Sequence, residues 1–161
     1  MLVTDMERPL FYFVLKLLGD EDVALDVLQE VWFKVFRTIG TLRAPEALRA
    51  WLYRVARGTA LNRVRDDAAR SEVEESFDDG DEQDSGMSSG GFGADQVTDV
   101  HRAIDRLDRR HREVLVLLFL EGLTVTEIAA VVGAPPGTVK SRVHYAKKAL
   151  RALLEGHGDE A

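Results

Sequence analysis

Val23, Val27, Val31, Val35 and Ile39 recur every four residues, and Leu28 and Trp32 widen the stripe they draw. That spacing predicts a helix buried along one side. Asp20, following Gly19, is placed to cap it, and Glu21 and Asp22 set negative charge at the positive end of the helix dipole. Gly40 is expected to stop it. Upstream, Phe11, Val14, Leu15 and Leu18 predict an earlier helix. Downstream, Pro45 suits the opening turn of a third, with Leu48, Trp51, Leu52 and Val55 turned inward. Nothing alternates with the two-residue period of a strand.

The second half is also helical by pattern. Val97, Val100, Ile104 and Leu107 mark one helix. Val114 to Leu120 forms another, apolar on nearly every side and so expected to be buried, and Gly122 ends it. Thr124 and Glu127 have the spacing of a capping box, in which hydroxyl and carboxylate each accept from the other residue's amide. Val125, Ile128, Ala129 and Val132 then face inward, and Gly133 fits the left-handed closing position. Beyond Pro135 and Pro136 a last helix is expected over about residues 137–154.

Between the halves the pattern lapses. Residues 71–95 read SEVEESFDDGDEQDSGMSSGGFGAD, with only Val73, Phe77, Met87 and Phe92 as larger apolar groups. Too little apolar surface is available to offset the entropy of ordering such a stretch, so a flexible, self-repelling tether is expected. A second reading is that its acids imitate nucleic acid. Two domains follow, at 1–70 and 96–156, joined by a linker at 71–95. The formal net charge of −7 divides in the same way. Residues 66–99 carry one arginine against twelve acids, whereas residues 109–151 carry eight basic residues against three acidic ones. Local charge decides where phosphates bind, so the overall acidity does not argue against nucleic acid.

Composition narrows the chemistry. With no cysteine there can be no disulfide, thiolate metal site or cysteine nucleophile. His101, His111, His144 and His157 are scattered without metal-ligand spacing, and no Gly-rich phosphate loop or nucleophile motif is present. The expectation is a protein that is no enzyme and needs no cofactor or metal. The longest apolar run has seven residues, far below the roughly 18 of a membrane span. No export signal is read at Met1 to Pro9, and a cytoplasmic protein without membrane insertion is expected.

A short capped helix, a glycine turn and a longer basic helix make a helix-turn-helix. On the last helix Val139, Val143, Ala146 and Leu150 can pack, which leaves Lys140, Ser141, His144, Tyr145 and Lys148 outside. These are side chains suited to phosphates and base edges. The stretch LFLEGLTVTEIAAVVGAPPGTVKSRVHYAKKALRALL resembles region 4 of sigma-70-type transcription initiation factors, in particular the short extracytoplasmic-function group. EDVALDVLQEVWFKVFR resembles region 2.2 of that group, and LRAWLYRVARGTALNRVR resembles regions 2.3 and 2.4. The resemblance covers nearly everything outside residues 71–95.

The resemblance implies an all-α chain of two small helical domains that binds core RNA polymerase and directs it to promoters. Region 2.2 of the family docks on the polymerase clamp coiled coil, and the matching positions are Asp26, Gln29, Glu30 and Phe33. Phe33 and Phe36 suit the core equally well. Regions 2.3 and 2.4 open the −10 element. Here they imply the loop from Thr38 to Glu46 and a helix bearing Trp51, Tyr53, Arg54, Gly58, Asn62, Arg63 and Arg65. Aromatic faces stack on unpaired bases and arginines follow the backbone, although Trp51 also suits the core. Gly58 departs from the family, where many members have asparagine, which puts the −10 base preference in doubt. Region 4 implies that Thr138, Lys140, Ser141, Arg142, His144, Tyr145 and Lys148 read the −35 element, with a further contact to the polymerase flap. Pro136 stands where the family often has a less rigid residue. The family is commonly sequestered by anti-sigma factors, which adds such an inhibitor to the expected partners. The rival reading is a helix-turn-helix regulator that binds duplex DNA alone; the region 2-like half weighs against it.

Overall fold

The start of the second helix shows how local chemistry sets the elements. Asp20 Oδ1 accepts hydrogen bonds from the amides of Asp22 at 2.9 Å and Val23 at 3.2 Å, satisfying two donors that the helix leaves without partners. Gly19, at φ +76°, makes the left-handed turn that separates this helix from the one before, and its amide closes that helix on the carbonyl of Leu15 at 2.7 Å. The computed structural model describes residues 2–74 and 95–158. The expected acidic linker falls largely on residues 75–94, outside the described residues.

The chain divides into two units, Met1–Ser88 and Ser89–Ala161. The first contains α1 (Leu2–Leu18), α2 (Glu21–Thr38) and α3 (Leu48–Glu74). The second contains α4 (Asp95–Asp105), α5 (Arg109–Leu115), α6 (Val125–Val132) and α7 (Pro136–Gly158). No strand occurs among the described residues. α3 continues four residues past the expected boundary at residue 70.

In the first unit each helix packs on the other two. Leu10, Phe13, Val14 and Leu17 of α1 meet Ala24, Val27, Leu28, Val31 and Val35 of α2, and Leu52, Tyr53, Ala56 and Ala60 of α3. The valine stripe is therefore buried over its central three members. Ile39 falls outside it, 38% exposed, because the backbone tightens to a 3-10 turn over Ile39–Thr41. Gly40 lies within that turn. A second 3-10 turn, Pro45–Ala47, leads into α3 with proline at its start, where a missing amide proton costs nothing.

Two expectations of burial are corrected. The inner face of α3 was placed on Leu48, Trp51, Leu52 and Val55; only Leu52 of these is buried, and Tyr53 takes the central place at 0% exposure. Its ring stands edge-on to Phe13, with centroids 5.5 Å apart and planes at 77°. An aromatic pair in this geometry contributes about 0.5–1.5 kcal/mol beyond its buried area. In the second unit, Val114 to Leu117 are buried as expected, but Phe119 is 59% and Leu120 41% exposed. The helix widens over Val116–Leu120 into a π turn, closed by the amide of Glu121 on the carbonyl of Val116 at 2.9 Å. One extra residue in the turn rotates its end away from the buried side.

The capping box forms in full. Thr124 Oγ1 accepts from the amide of Glu127 at 3.1 Å, and Glu127 Oε1 accepts from the amide of Thr124 at 3.0 Å. Gly133, at φ +69°, closes α6 in the left-handed conformation, and α7 starts at Pro136. The helix-turn-helix is thus present, its second helix held by Val139, Val143 and Ala146.

Both tryptophans, Trp32 and Trp51, belong to the first unit, so their fluorescence reports its unfolding. Tyr53→Ala is expected to lower the stability of that unit by about 3–5 kcal/mol. Arg54→Ala, next in sequence but exposed, should change it by less than about 0.5 kcal/mol. Urea titration followed by tryptophan emission checks both; equal midpoints for the two variants would contradict the orientation of α3.

Candidate nucleic-acid and partner interfaces

α2 presents to solvent a face that its own unit does not use. Asp26, Gln29, Glu30 and Phe33, the expected polymerase-binding set, are all exposed there. Phe33 is 65% and Phe36 64% exposed, so neither belongs to the core. Leu25, 48% exposed, lies on the same side at helical spacing. The rings are partly organised. Trp32 and Phe36 have centroids 6.3 Å apart, and the Arg37 guanidinium lies 5.7 Å from the Phe33 centroid. An apolar strip edged by charge is the signature of a protein-binding surface. Leu25 and Phe36 belong to it but not to the expected set; their period from Gln29 and Phe33 was the available signal.

Acids beside this strip are tied to α3. Asp26 Oδ2 lies 3.9 Å from Arg63 Nη2, and Arg63 Nε lies 3.5 Å from Asp67 Oδ2. Glu30 Oε1 pairs with Lys34 Nζ at 3.4 Å, and that ammonium also donates to Thr59 Oγ1 at 3.3 Å. Thr59, 2% exposed, donates its own hydroxyl hydrogen bond to the carbonyl of Val55 at 2.8 Å.

The −10 set separates into three groups. Arg54, Gly58, Asn62 and Arg65 are exposed, with Trp51 half-buried beside them, and helical spacing puts all five on one side of α3. Tyr53, also in the expected set, is fully buried against Phe13. Arg63 lies at the α2 seam, beside Asp26 and Asp67, apart from Arg54 and Arg65. Gly58 has no packing duty. A Cβ built there meets nothing within 4 Å, yet glycine inside a helix costs about 1 kcal/mol relative to alanine.

On α7 the −35 set is exposed except for Arg142, which is half-buried. Thr138, Lys140, Ser141, His144, Tyr145 and Lys148 line the side opposite Val139, Val143 and Ala146. His144 and Tyr145 meet edge to face, with centroids 5.3 Å apart. Ser141 Oγ donates to the carbonyl of Gly137 at 3.1 Å. Two further bases, Lys147 and Arg151, are exposed along the helix but were outside the expected set. Lys147 Nζ lies 5.1 Å from the centroid of Phe119, the ring brought out by the π turn. Among the described residues no cluster of three or more metal-ligating side chains occurs, and no helix is long and apolar enough to cross a membrane.

Residues 2–70 match the family description Sigma-70 region 2, and residues 98–150 match Sigma-70, region 4. The RNA polymerase sigma factor SigV of Bacillus subtilis is 30% identical over 152 residues, covering 94% of this chain and 88% of that protein. The ECF RNA polymerase sigma factor SigL of Mycobacterium tuberculosis is 32% identical over 152 residues, covering 92% of this chain and 84% of its own. Among solved structures, the sigma factor RpoE of Bartonella quintana, crystallised with the anti-sigma factor NepR, superposes with a TM-score of 0.79 at 24% identity, covering 95% of this chain and 94% of that one. CnrH in complex with the cytosolic domain of CnrY gives a TM-score of 0.66 at 25% identity, covering 96% and 86%. Matched in order by both family regions, and by full-length relatives at 30% identity and above, this chain is a member of the sigma-70 family, among its extracytoplasmic-function RNA polymerase sigma factors.

Proposed function

We propose that this sigma factor docks on core RNA polymerase through the α2 face, holds the opened −10 strand on α3 and anchors at the −35 element with α7. The observation that carries the reading is that each unit buries one side of its key helices and leaves the other side with distinct chemistry. α2 offers Leu25, Phe33 and Phe36 edged by Asp26 and Glu30; α3 and α7 offer bases. The apolar strip suits a helical protein partner, and the basic faces suit phosphates and bases. Polymerase supplies the chemistry, so the chain works as a binding protein, in the cytoplasm where polymerase acts. The matched RpoE is in complex with the anti-sigma factor NepR, and the matched CnrH with the cytosolic domain of CnrY; an anti-sigma factor that covers these faces is the corresponding regulator for this chain. The domain division at 1–70 and 96–156 belongs to the same reading. A stand-alone duplex-binding regulator is not favoured, since it gives the α2 and α3 faces no role.

Run-off transcription on genomic fragments tests the reading: promoter-specific products should appear only when core polymerase and this protein are combined. Phe33→Ala with Phe36→Ala should weaken core affinity by at least about tenfold, as truncation of two aromatic anchors does. Gln29→Ala with Glu30→Ala should weaken it by less, measured by fluorescence anisotropy against core enzyme.

Lys140→Ala with Lys148→Ala should reduce −35-dependent initiation and leave core affinity unchanged. If both lysines meet phosphates, the slope of log affinity against log salt becomes shallower by about 1.8. An unchanged slope would remove these two lysines from the DNA interface.

A further inference from the structure

The outer face of α7 is polar with an aromatic centre. Thr138, Lys140, Ser141 and Lys148 are exposed on it, and among them stand two rings, His144, exposed, and Tyr145, 58% exposed. Residues three and four apart are neighbours on a helix surface, so Ser141 precedes both rings by one turn and Lys148 follows both by one. The rings meet edge to face, with centroids 5.3 Å apart and planes at 74°, a favourable geometry in which each limits the rotation of the other. The polar groups around them are less rigid or already engaged. Ser141 Oγ donates to the carbonyl of Gly137 at 3.1 Å, which leaves it only an acceptor toward the outside. Lys140 and Lys148 are point charges on flexible stems. Lys147 is turned aside, its ammonium 5.1 Å from the Phe119 centroid. The braced rings are therefore the rigid, apolar part of this face.

We infer that the ring pair of His144 and Tyr145 reads one thymine of the promoter duplex through its 5-methyl group, and that Tyr145 sets the base preference at that position. The inference rests on the reading of α7 as the helix at the −35 element and adds to it the kind of base contact made there. In the major groove every base pair shows hydrogen-bonding groups, but only thymine shows an apolar one. Apolar ring surface at the centre of a polar face is complementary to that single feature. Lys140 and Lys148, on either side, hold phosphates and set the register, while the rings meet the base edge.

The test replaces each thymine of the −35 element, one at a time, with deoxyuridine, which keeps the pairing groups and removes only the methyl. The fragment is a promoter recovered by run-off transcription, and its affinity is measured for holoenzyme carrying the wild type, Tyr145→Phe or Tyr145→Ala. For the wild type, one thymine should be worth about fourfold in affinity, the value of one buried methyl. Tyr145→Phe should keep that difference between thymine and deoxyuridine, and Tyr145→Ala should abolish it. If no replacement weakens the wild type, no methyl is read and the proposal fails. A difference that survives in Tyr145→Ala places the contact on another side chain, and one lost in Tyr145→Phe places it on the hydroxyl; either overturns the assignment. Scrambling the whole −35 element separates these results from a failure of the underlying reading: a wild-type holoenzyme indifferent to the scramble would remove α7 from the −35 element altogether.

Discussion

The edge-on contact of Tyr53 with Phe13 decides which way α3 faces, and most of the functional surface of the first unit depends on that choice. A helix rotates by about 100° per residue, so a core built on Trp51 and Val55 would have turned Tyr53 to solvent and buried part of the basic side. Burying Tyr53 with Leu52, Ala56 and Ala60 instead keeps Arg54, Gly58, Asn62 and Arg65 together on the outside. Ala56 and Ala60, fully buried on the same side of α3, are its small core residues. The same packing leaves α2 with a second, apolar side that nothing within its unit covers.

The strong local signals were legible in the sequence. The valine stripe of α2, the Asp20 cap, the Thr124–Glu127 box and Gly133 all stand where period and capping rules placed them. The helix-turn-helix and its outer basic residues followed from the same rules. What periodicity could not read was rotation, because α3 carries apolar or aromatic groups on more than one side. Trp51, Leu52, Tyr53 and Val55 offer two plausible stripes, and tertiary packing on α1 chose between them. Phe33 and Phe36 were ambiguous for a related reason: nothing in its identity separates a phenylalanine left exposed on a helix from one bound for the core.

The exposed end of α5 illustrates a second limit. Seven consecutive apolar residues carry no phase, and nothing in their identity marks the π turn that brings Phe119 and Leu120 outward. Once out, Phe119 is covered on one side by the Lys147 ammonium, a contact of about 0.5–1 kcal/mol at an exposed site. Lys147 is thereby drawn toward the π turn that follows α5, while Lys140, His144 and Lys148 stay on the open side of α7. Two lysines adjacent in sequence thus have different surroundings, and a basic run is not a uniform surface.

The seam between α2 and α3 shows which forces hold these faces in place. Arg63 links Asp26 and Asp67, and Lys34 links Glu30 with Thr59, yet the ion pairs are long and largely in water. Exposed pairs of this kind contribute about 0–1 kcal/mol each. The valines and alanines beneath them, at 0–1% exposure, therefore fix the geometry, and the charges only decorate it. A partner that draws Asp26 or Glu30 into a new contact consequently gives up little in breaking the old one. Surface acids held this loosely are well suited to docking, because the helix that presents them is anchored by apolar contacts which docking leaves untouched.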